Sequence, residues 1–301
     1  MKKYQCYVSW ALLLSCLFIT SIASAASTLK TKTIEIAGHH IVYDSGGEGE
    51  PILLLHGLFG SKNQWHDFAN ILMNHHYHVV ALDLPGYGKS TGYPEQDYDL
   101  KNQVALLHQF TIKLHLNHIN LAGNSMGGLI AAFYADRYGA ELQSLAFIGA
   151  PFGSVTSKPS PTDLLLAQGK NPFIPTSAME FKQEMSLLFT NPPVFSQEEQ
   201  TKRIHRYQEE YTKDVKIWTM VKQYQQALNQ LTHINLPTLI IWGNADKVID
   251  VSGAKPLHQK FLSQLVIFPN GSHLLFMEQP SKAANIYMNF LKQQEKIKHA
   301  T

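Results

Sequence analysis

Hydrophobic positions fall along this chain in two rhythms. Residues 33–43 alternate apolar with polar side chains and run into Asp44-Ser45-Gly46-Gly47, which predicts a strand closed by a turn. Pro51-Ile52-Leu53-Leu54-Leu55 is instead wholly apolar and bounded by Pro and Gly. That is the pattern of a strand buried on both faces, as in a parallel sheet. Val79-Val80-Ala81-Leu82, Ile119-Asn120-Leu121-Ala122, Leu145-Ala146-Phe147-Ile148, Thr238-Leu239-Ile240-Ile241-Trp242 and Leu265-Val266-Ile267-Phe268 read as further strands. Helical stretches lie among them, over residues 63–74, 129–138 and 281–292. Another starts at Asp99, a good N-cap, and runs to about residue 114 with Val104, Leu107 and Ile112 as its apolar positions. Strands alternating with helices predict an α/β fold with a mostly parallel, doubly wound sheet.

The rhythm breaks at Pro151. From there to about Asn235 no strand pattern occurs, and Pro159, Pro161, Pro172, Pro175, Pro192 and Pro193 punctuate short helical pieces. Residues 201–231 read as one or two longer helices. This predicts one helical insertion, residues 151–235, that divides a core made of residues 26–150 and 236–301.

The N-terminus follows a third pattern. Lys2 and Lys3 precede an apolar run to about Ile22, and Ala23-Ser24-Ala25 supplies the small-x-small sequence of a cleavage site. Residues 1–25 are therefore expected to be a cleaved signal peptide and the protein to be secreted or periplasmic. A retained anchor is the alternative, although the run is short for a membrane span. A lipoprotein box around Cys16 is weaker still. Both cysteines, Cys6 and Cys16, fall inside this segment, so the mature chain would hold no disulfide. A mature domain of about 276 residues buries enough apolar surface to fold without one. The net charge of +2 comes with no basic stripe or acidic tail, which argues against a nucleic-acid partner.

Chemistry enters at Gly123-Asn124-Ser125-Met126-Gly127, a G-x-S-x-G sequence between a predicted strand and a predicted helix. A strand-to-helix turn this sharp strains the serine backbone, and the flanking glycines let neighbouring backbones approach. Ser125 is the expected nucleophile. A hydroxyl needs a base to act as one. This motif orders its partners as Ser, acid, His, so the base should come late in the chain. His273, in the loop after the last predicted strand, fills that place. Asp246 follows the preceding strand after the turn Gly243-Asn244-Ala245 and is the expected acid; Asp250, four residues on, is its rival. An oxyanion needs two preorganised donors. These are the backbone N–H of Met126 and that of Leu58, in the loop His56-Gly57-Leu58-Phe59-Gly60. His56 is read as a brace for that loop with no proton to transfer. Phe59 and Phe152 are candidate substrate contacts. Neither metal nor cofactor is required, and His75, His76 and His78 lack the supporting carboxylates or cysteines of a metal site.

In order along the chain, His56-Gly57, Asp83-Leu84-Pro85-Gly86-Tyr87-Gly88, Gly123-Asn124-Ser125-Met126-Gly127-Gly128, Trp242-Gly243-Asn244-Ala245-Asp246 and Gly271-Ser272-His273 resemble the α/β-hydrolase superfamily. The resemblance covers nearly all of the mature chain outside the insertion. Within the superfamily the chain is most similar to monoacylglycerol lipases of the α/β-hydrolase-domain type and to bacterial family V lipases. Asp246-Lys247-Val248-Ile249-Asp250-Val251-Ser252-Gly253-Ala254 and His56-Gly57-Leu58-Phe59-Gly60-Ser61-Lys62-Asn63-Gln64-Trp65 carry that likeness. It implies hydrolysis of acyl glycerols or other medium-chain esters, with a lipid or small-molecule ester as substrate and peripheral membrane contact as an option. The insertion would then cap the site, with Phe152, Phe173, Phe181, Leu187, Leu188 and Phe189 supplying apolar surface. Proline iminopeptidases and carbon–carbon hydrolases share the triad and stay open as alternatives. A peptidase would need an acid for the substrate amine, for which Glu180, Glu184, Glu209 and Glu210 are available, although such helix faces are usually solvated. A non-catalytic binding protein of this fold would be expected to lack a triad member.

Overall fold

The computed structural model describes residues 28–232 and 234–300, so the expected signal segment lies outside the described residues. Eight strands form one sheet in the order β1-β2-β4-β3-β5-β6-β7-β8. They are β1 (Lys30–Ile36), β2 (His39–Gly46), β3 (Glu50–Leu55), β4 (Tyr77–Leu82), β5 (Ile119–Ser125), β6 (Leu142–Pro151), β7 (Thr238–Gly243) and β8 (Gln264–Phe268). The pairs β1–β2 and β2–β4 are antiparallel, and every other pair is parallel. The mostly parallel sheet expected from the apolar runs is therefore present.

The wholly apolar strands are explained by burial on two faces. In β3, Leu53 and Leu55 join one core cluster and Ile52 and Leu54 join the other. The first cluster is covered by α2 (Leu100–Lys113), α3 (Met126–Tyr138) and α7 (Ala254–Phe261) through Leu107, Leu129 and Leu257. The second is covered by α1 (His66–Met73), α8 (Leu275–Glu278) and α9 (Pro280–Ala300) through Phe68, Leu275 and Tyr287. Side chains alternate across a strand, so a period-two split of a uniformly apolar run feeds both layers.

Local signals set several element ends. Asp99 caps α2 as expected, its carboxylate accepting from the Lys101 N–H at 3.0 Å. The N-terminal alternating run, read as one strand, is instead a hairpin. Ala37 and Gly38 turn it with φ of 52° and 80°, giving β1 and β2. A two-residue hairpin turn needs positive φ at both central positions, and alanine is not a residue that advertises it. The last helix outruns its expected end at residue 292 and continues to Ala300, over Gln, Glu and Lys, which sustain helix without an apolar face.

Between β6 and β7 no strand occurs among the described residues. The chain runs through α4 (Pro161–Ala167), α5 (Ala178–Leu188) and α6 (Gln197–Lys222). Capping boxes open α4 at Ser160 and α6 at Ser196. A third small cluster, Ile174, Tyr207 and Trp218, packs these helices against Leu58 and Phe59 of the loop after β3.

Candidate active site

Ser125 ends β5 and precedes α3 with φ 52° and ψ −119°, backbone that a non-glycine residue rarely adopts. The surrounding backbone forces the turn to be glycine-flanked. A Cβ on Gly123 would sit 2.3 Å from the Gly127 carbonyl oxygen, and one on Gly127 would sit 2.4 Å from that of Leu55. The steric requirement read from the sequence thus has named partners. Met126 is the first residue of α3, so its N–H is free of the helix ladder. Leu58 stands in the loop facing it. That loop passes so close to the nucleophile that a Cβ on Gly57 would lie 3.3 Å from Ser125 Cβ. Its internal turn uses the Gly60 N–H, donated to Gly57 at 3.1 Å, and not that of Leu58.

His56 holds the loop. Burial lowers its pKa, against the raising influence of the Gly57 carbonyl and the Asp83 carboxylate, so the ring is neutral. Nδ1–H donates to the Gly57 carbonyl at 2.7 Å and Nε2 accepts from the Leu84 N–H at 3.0 Å. Each nitrogen has one role, which fixes the tautomer. Asp83 completes the brace, accepting from the N–H groups of Lys62 and Lys89 at 2.8 and 2.9 Å.

Asp246 follows β7 and His273 follows β8, at the carboxyl ends of neighbouring strands, where parallel sheets place their sites. His273 Nδ1–H donates to Asp246 Oδ2 at 2.9 Å, with side chains only 3% and 0% exposed. Asp246 Oδ1 meanwhile accepts from the N–H groups of Val248 and Ile249 at 2.8 and 3.0 Å. The carboxylate is thus satisfied on both oxygens and leaves His273 Nε2 with its lone pair. Asp250, the rival acid, caps a short turn through the Ser252 N–H at 2.9 Å. His75 and His78 are engaged apart from each other, with the Ile71 carbonyl and the Ser45 hydroxyl.

Ser125, His273, Leu58, Met126, Phe59 and Phe152 all line one cavity of about 310 Å³. That is the lower end of ligand-site volumes, room for one modest substrate. Of the six apolar residues expected over the site, Phe152, Phe173 and Leu188 reach the cavity. Phe181, Leu187 and Phe189 are instead buried in packing, Phe181 against Phe195 at 5.6 Å.

Three participants were not assigned from sequence. Asn124 is fully buried and its amide donates to the carbonyls of Ile148 and His273 at 3.0 and 3.2 Å, tying the nucleophile turn to the histidine loop. It sits at an unconstrained position of the G-x-S-x-G pattern, which carries no signal for it. Gln64 also lines the cavity, and its Oε1 is buried without a partner among the described residues. Glu184, one of the four acids open to a substrate amine in the peptidase alternative, is 5% exposed and lines the cavity, unlike a solvated helix face. The signal was its spacing, for Phe181, Glu184 and Leu188 share one face of α5.

Comparison with known proteins now bears on this geometry. A family model described as serine aminopeptidase, S33, matches residues 50–280. The chain belongs to this α/β-hydrolase family. It is 31% identical over 260 residues to monoacylglycerol lipase ABHD6 of Bos taurus, covering 81% of this chain and 76% of that one. It is 29% identical over 280 residues to Lipase 3 of Moraxella sp. (strain TA144), covering 88% and 85%. Among solved structures, a membrane phospholipase A described as a bacterial virulence factor superposes with a TM-score of 0.83 at 31% identity, covering 89% of this chain and 87% of that one. The family label names a peptidase, whereas the relatives are named as lipases, so the shared fold does not by itself fix the substrate.

Proposed function

We infer that the chain is a serine carboxylic-ester hydrolase acting on lipid or other acyl esters, monoacylglycerols among them. One observation carries the reading. A strained Ser125 and His273, whose imidazole is held by the buried Asp246, line one small cavity together with Leu58, Met126, Phe59, Phe152, Phe173, Leu188 and Trp218. Ser125 Oγ attacks the ester carbonyl while His273 Nε2 takes its proton. The Leu58 and Met126 N–H groups stabilise the oxyanion. Asp246 holds the tautomer and stabilises the imidazolium, which then protonates the leaving alcohol. Water repeats the sequence on the acyl-enzyme.

Residues 151–235 act as the cap in this reading. The exposed apolar side chains of Leu164, Met179 and Val194 on that segment support peripheral contact with lipid. No helix among the described residues is long and apolar enough to cross a membrane. The reading includes cleavage after the N-terminal signal and a secreted or periplasmic location, which N-terminal sequencing of the mature protein checks.

Hydrolysis of p-nitrophenyl esters from acetate to palmitate, beside Ser125→Ala, tests the activity. The wild type is expected to show a chain-length optimum and the variant to lose at least about three orders of magnitude in kcat. Folded wild-type protein inactive on every ester would overturn the reading.

A further inference from the structure

The helical segment over the site is bonded to the loop that carries Asp246, and none of those bonds enters the acyl-transfer steps. Thr162, 2% exposed near the start of α4, brings two donors to one acceptor. Its N–H and its hydroxyl reach the Lys247 carbonyl at 3.1 and 3.0 Å. The N–H is one of the donors that a helix start leaves without an intrahelical partner. Two residues earlier, the fully buried Ser160 hydroxyl lies 2.8 Å from the Val248 carbonyl and 2.9 Å from the Asp163 carboxylate, which divide its one proton. Lys247 Nζ returns the contact by donating to the Ser186 carbonyl of α5 at 3.0 Å.

Behind these carbonyls stands the catalytic acid. A trans peptide unit holds a carbonyl and the next residue's N–H in one plane, pointing opposite ways. The unit whose carbonyl Thr162 holds is Lys247–Val248, and its N–H donates to Asp246 Oδ1 at 2.8 Å. The unit whose carbonyl Ser160 meets is Val248–Ile249, and its N–H donates to the same oxygen at 3.0 Å. Two consecutive peptide planes therefore bridge the helical segment to the carboxylate, each held at both ends. Hydrogen bonds linked in this way polarise one another, and a plane cannot rotate without weakening both of its bonds. The other carboxylate oxygen holds His273 Nδ1 at 2.9 Å. The Lys247–Val248 plane is the more firmly fixed of the two, because Thr162 commits two hydrogens to it.

We propose that Thr162 is a positioning residue for catalysis: through the Lys247–Val248 peptide plane it sets the orientation of Asp246, and so of the imidazole that Asp246 holds. The proposal rests on the serine-hydrolase reading of the triad. It adds that the helical segment acts on the chemistry through the acid as well as by walling the cavity.

Thr162 also lines the cavity, so a slower reaction alone does not separate positioning from substrate contact. The test therefore takes two readouts in Thr162→Val and Thr162→Ser. One is kcat and KM for a p-nitrophenyl ester. The other, in substrate-free protein, is the far-downfield proton NMR signal of the hydrogen between His273 and Asp246. Thr162→Val matches the shape and keeps the backbone N–H but loses the hydroxyl. It is expected to lower kcat about tenfold, the effect of one hydrogen bond, with KM little changed, and to move the signal. Thr162→Ser keeps the hydroxyl and is expected to restore both. Wild-type kcat and an unmoved signal in Thr162→Val would make the bond structural only and overturn the inference. A lower kcat with an unmoved signal assigns Thr162 to substrate contact and also overturns it, as does a Thr162→Ser protein as impaired as Thr162→Val. Wild-type protein inactive on every p-nitrophenyl ester overturns the ester reading alone. The signal needs no substrate and still decides whether Thr162 orients Asp246.

Discussion

The sheet-borne half of the site and the helical half over it each bury a carboxyl, and they treat it in opposite ways. Asp246 sits at the end of a central parallel strand, accepts from two backbone N–H groups and one imidazole, and has no oxygen to spare. Glu184 sits on α5, accepts from one tyrosine hydroxyl, and leaves its other oxygen buried without a partner among the described residues. The first arrangement is complete before substrate arrives, which is what transition-state stabilisation requires of a preorganised group. The second is held by one side-chain hydroxyl, so packing and not backbone geometry fixes it.

The comparison breaks most sharply at Asp246. Asp246→Asn keeps the shape and removes the charge that fixes the histidine tautomer, so kcat for ester hydrolysis is expected to fall by about 10⁴ with KM little changed. Circular dichroism should show the fold retained. A loss below about tenfold would remove Asp246 from the triad and return attention to Asp250.

Asn124 ties the Ser125 turn to the His273 loop, and its removal is expected to weigh less. Asn124→Ala leaves the Ile148 and His273 carbonyls without their shared donor and frees the histidine loop. A displacement of about 1 Å at the catalytic base costs on the order of 10²-fold, so kcat should drop by about one to two orders while substrate binding holds. Unfolding free energy should fall by about 1–3 kcal/mol for the orphaned carbonyls. Unchanged kcat alongside lower stability would make Asn124 structural only.

How much of each half was legible follows from the same contrast. The parallel strands and the glycines around Ser125 could be read because backbone constraints dictate residue types. Gly123 and Gly127 tolerate no Cβ against Gly127 and Leu55, and Leu53 and Ile52 both had to be apolar because both faces of β3 are covered. The hairpin at Ala37-Gly38 was missed because its turn lacks the usual Asn or Asp. Glu184 could not be told from Glu180, Glu209 and Glu210, because an acidic residue on a charged helix is ordinarily solvated. Only the packing of Tyr207 and the neighbouring helices makes it buried, and that information is not local in sequence. Asn124 was invisible for a related reason: its partners are carbonyls, which every residue carries.

The smallest effect expected is on stability, and it sharpens the comparison from the helical side. Glu184 is raised from an ordinary glutamate value to about 8 in the folded protein. Between about pH 4.5 and 8 the folded chain therefore holds a proton that the unfolded chain has released. Stability falls as pH rises through that window, with a slope of up to about 1.4 kcal/mol per pH unit. The groups around the carboxyl are Tyr207, Arg203 and Arg206 from α6, with Asp163 and His273 on the same cavity. Asp214, raised to about 6 by burial, adds a slope of the same sign at lower pH, and does so in wild type and variant alike. Glu184→Gln removes only the first contribution. Its advantage in unfolding free energy over the wild type should grow between pH 5 and 8 and level off above. Urea unfolding at each pH measures it. Parallel curves for the two proteins would mean that Glu184 is ionised and solvated at neutral pH.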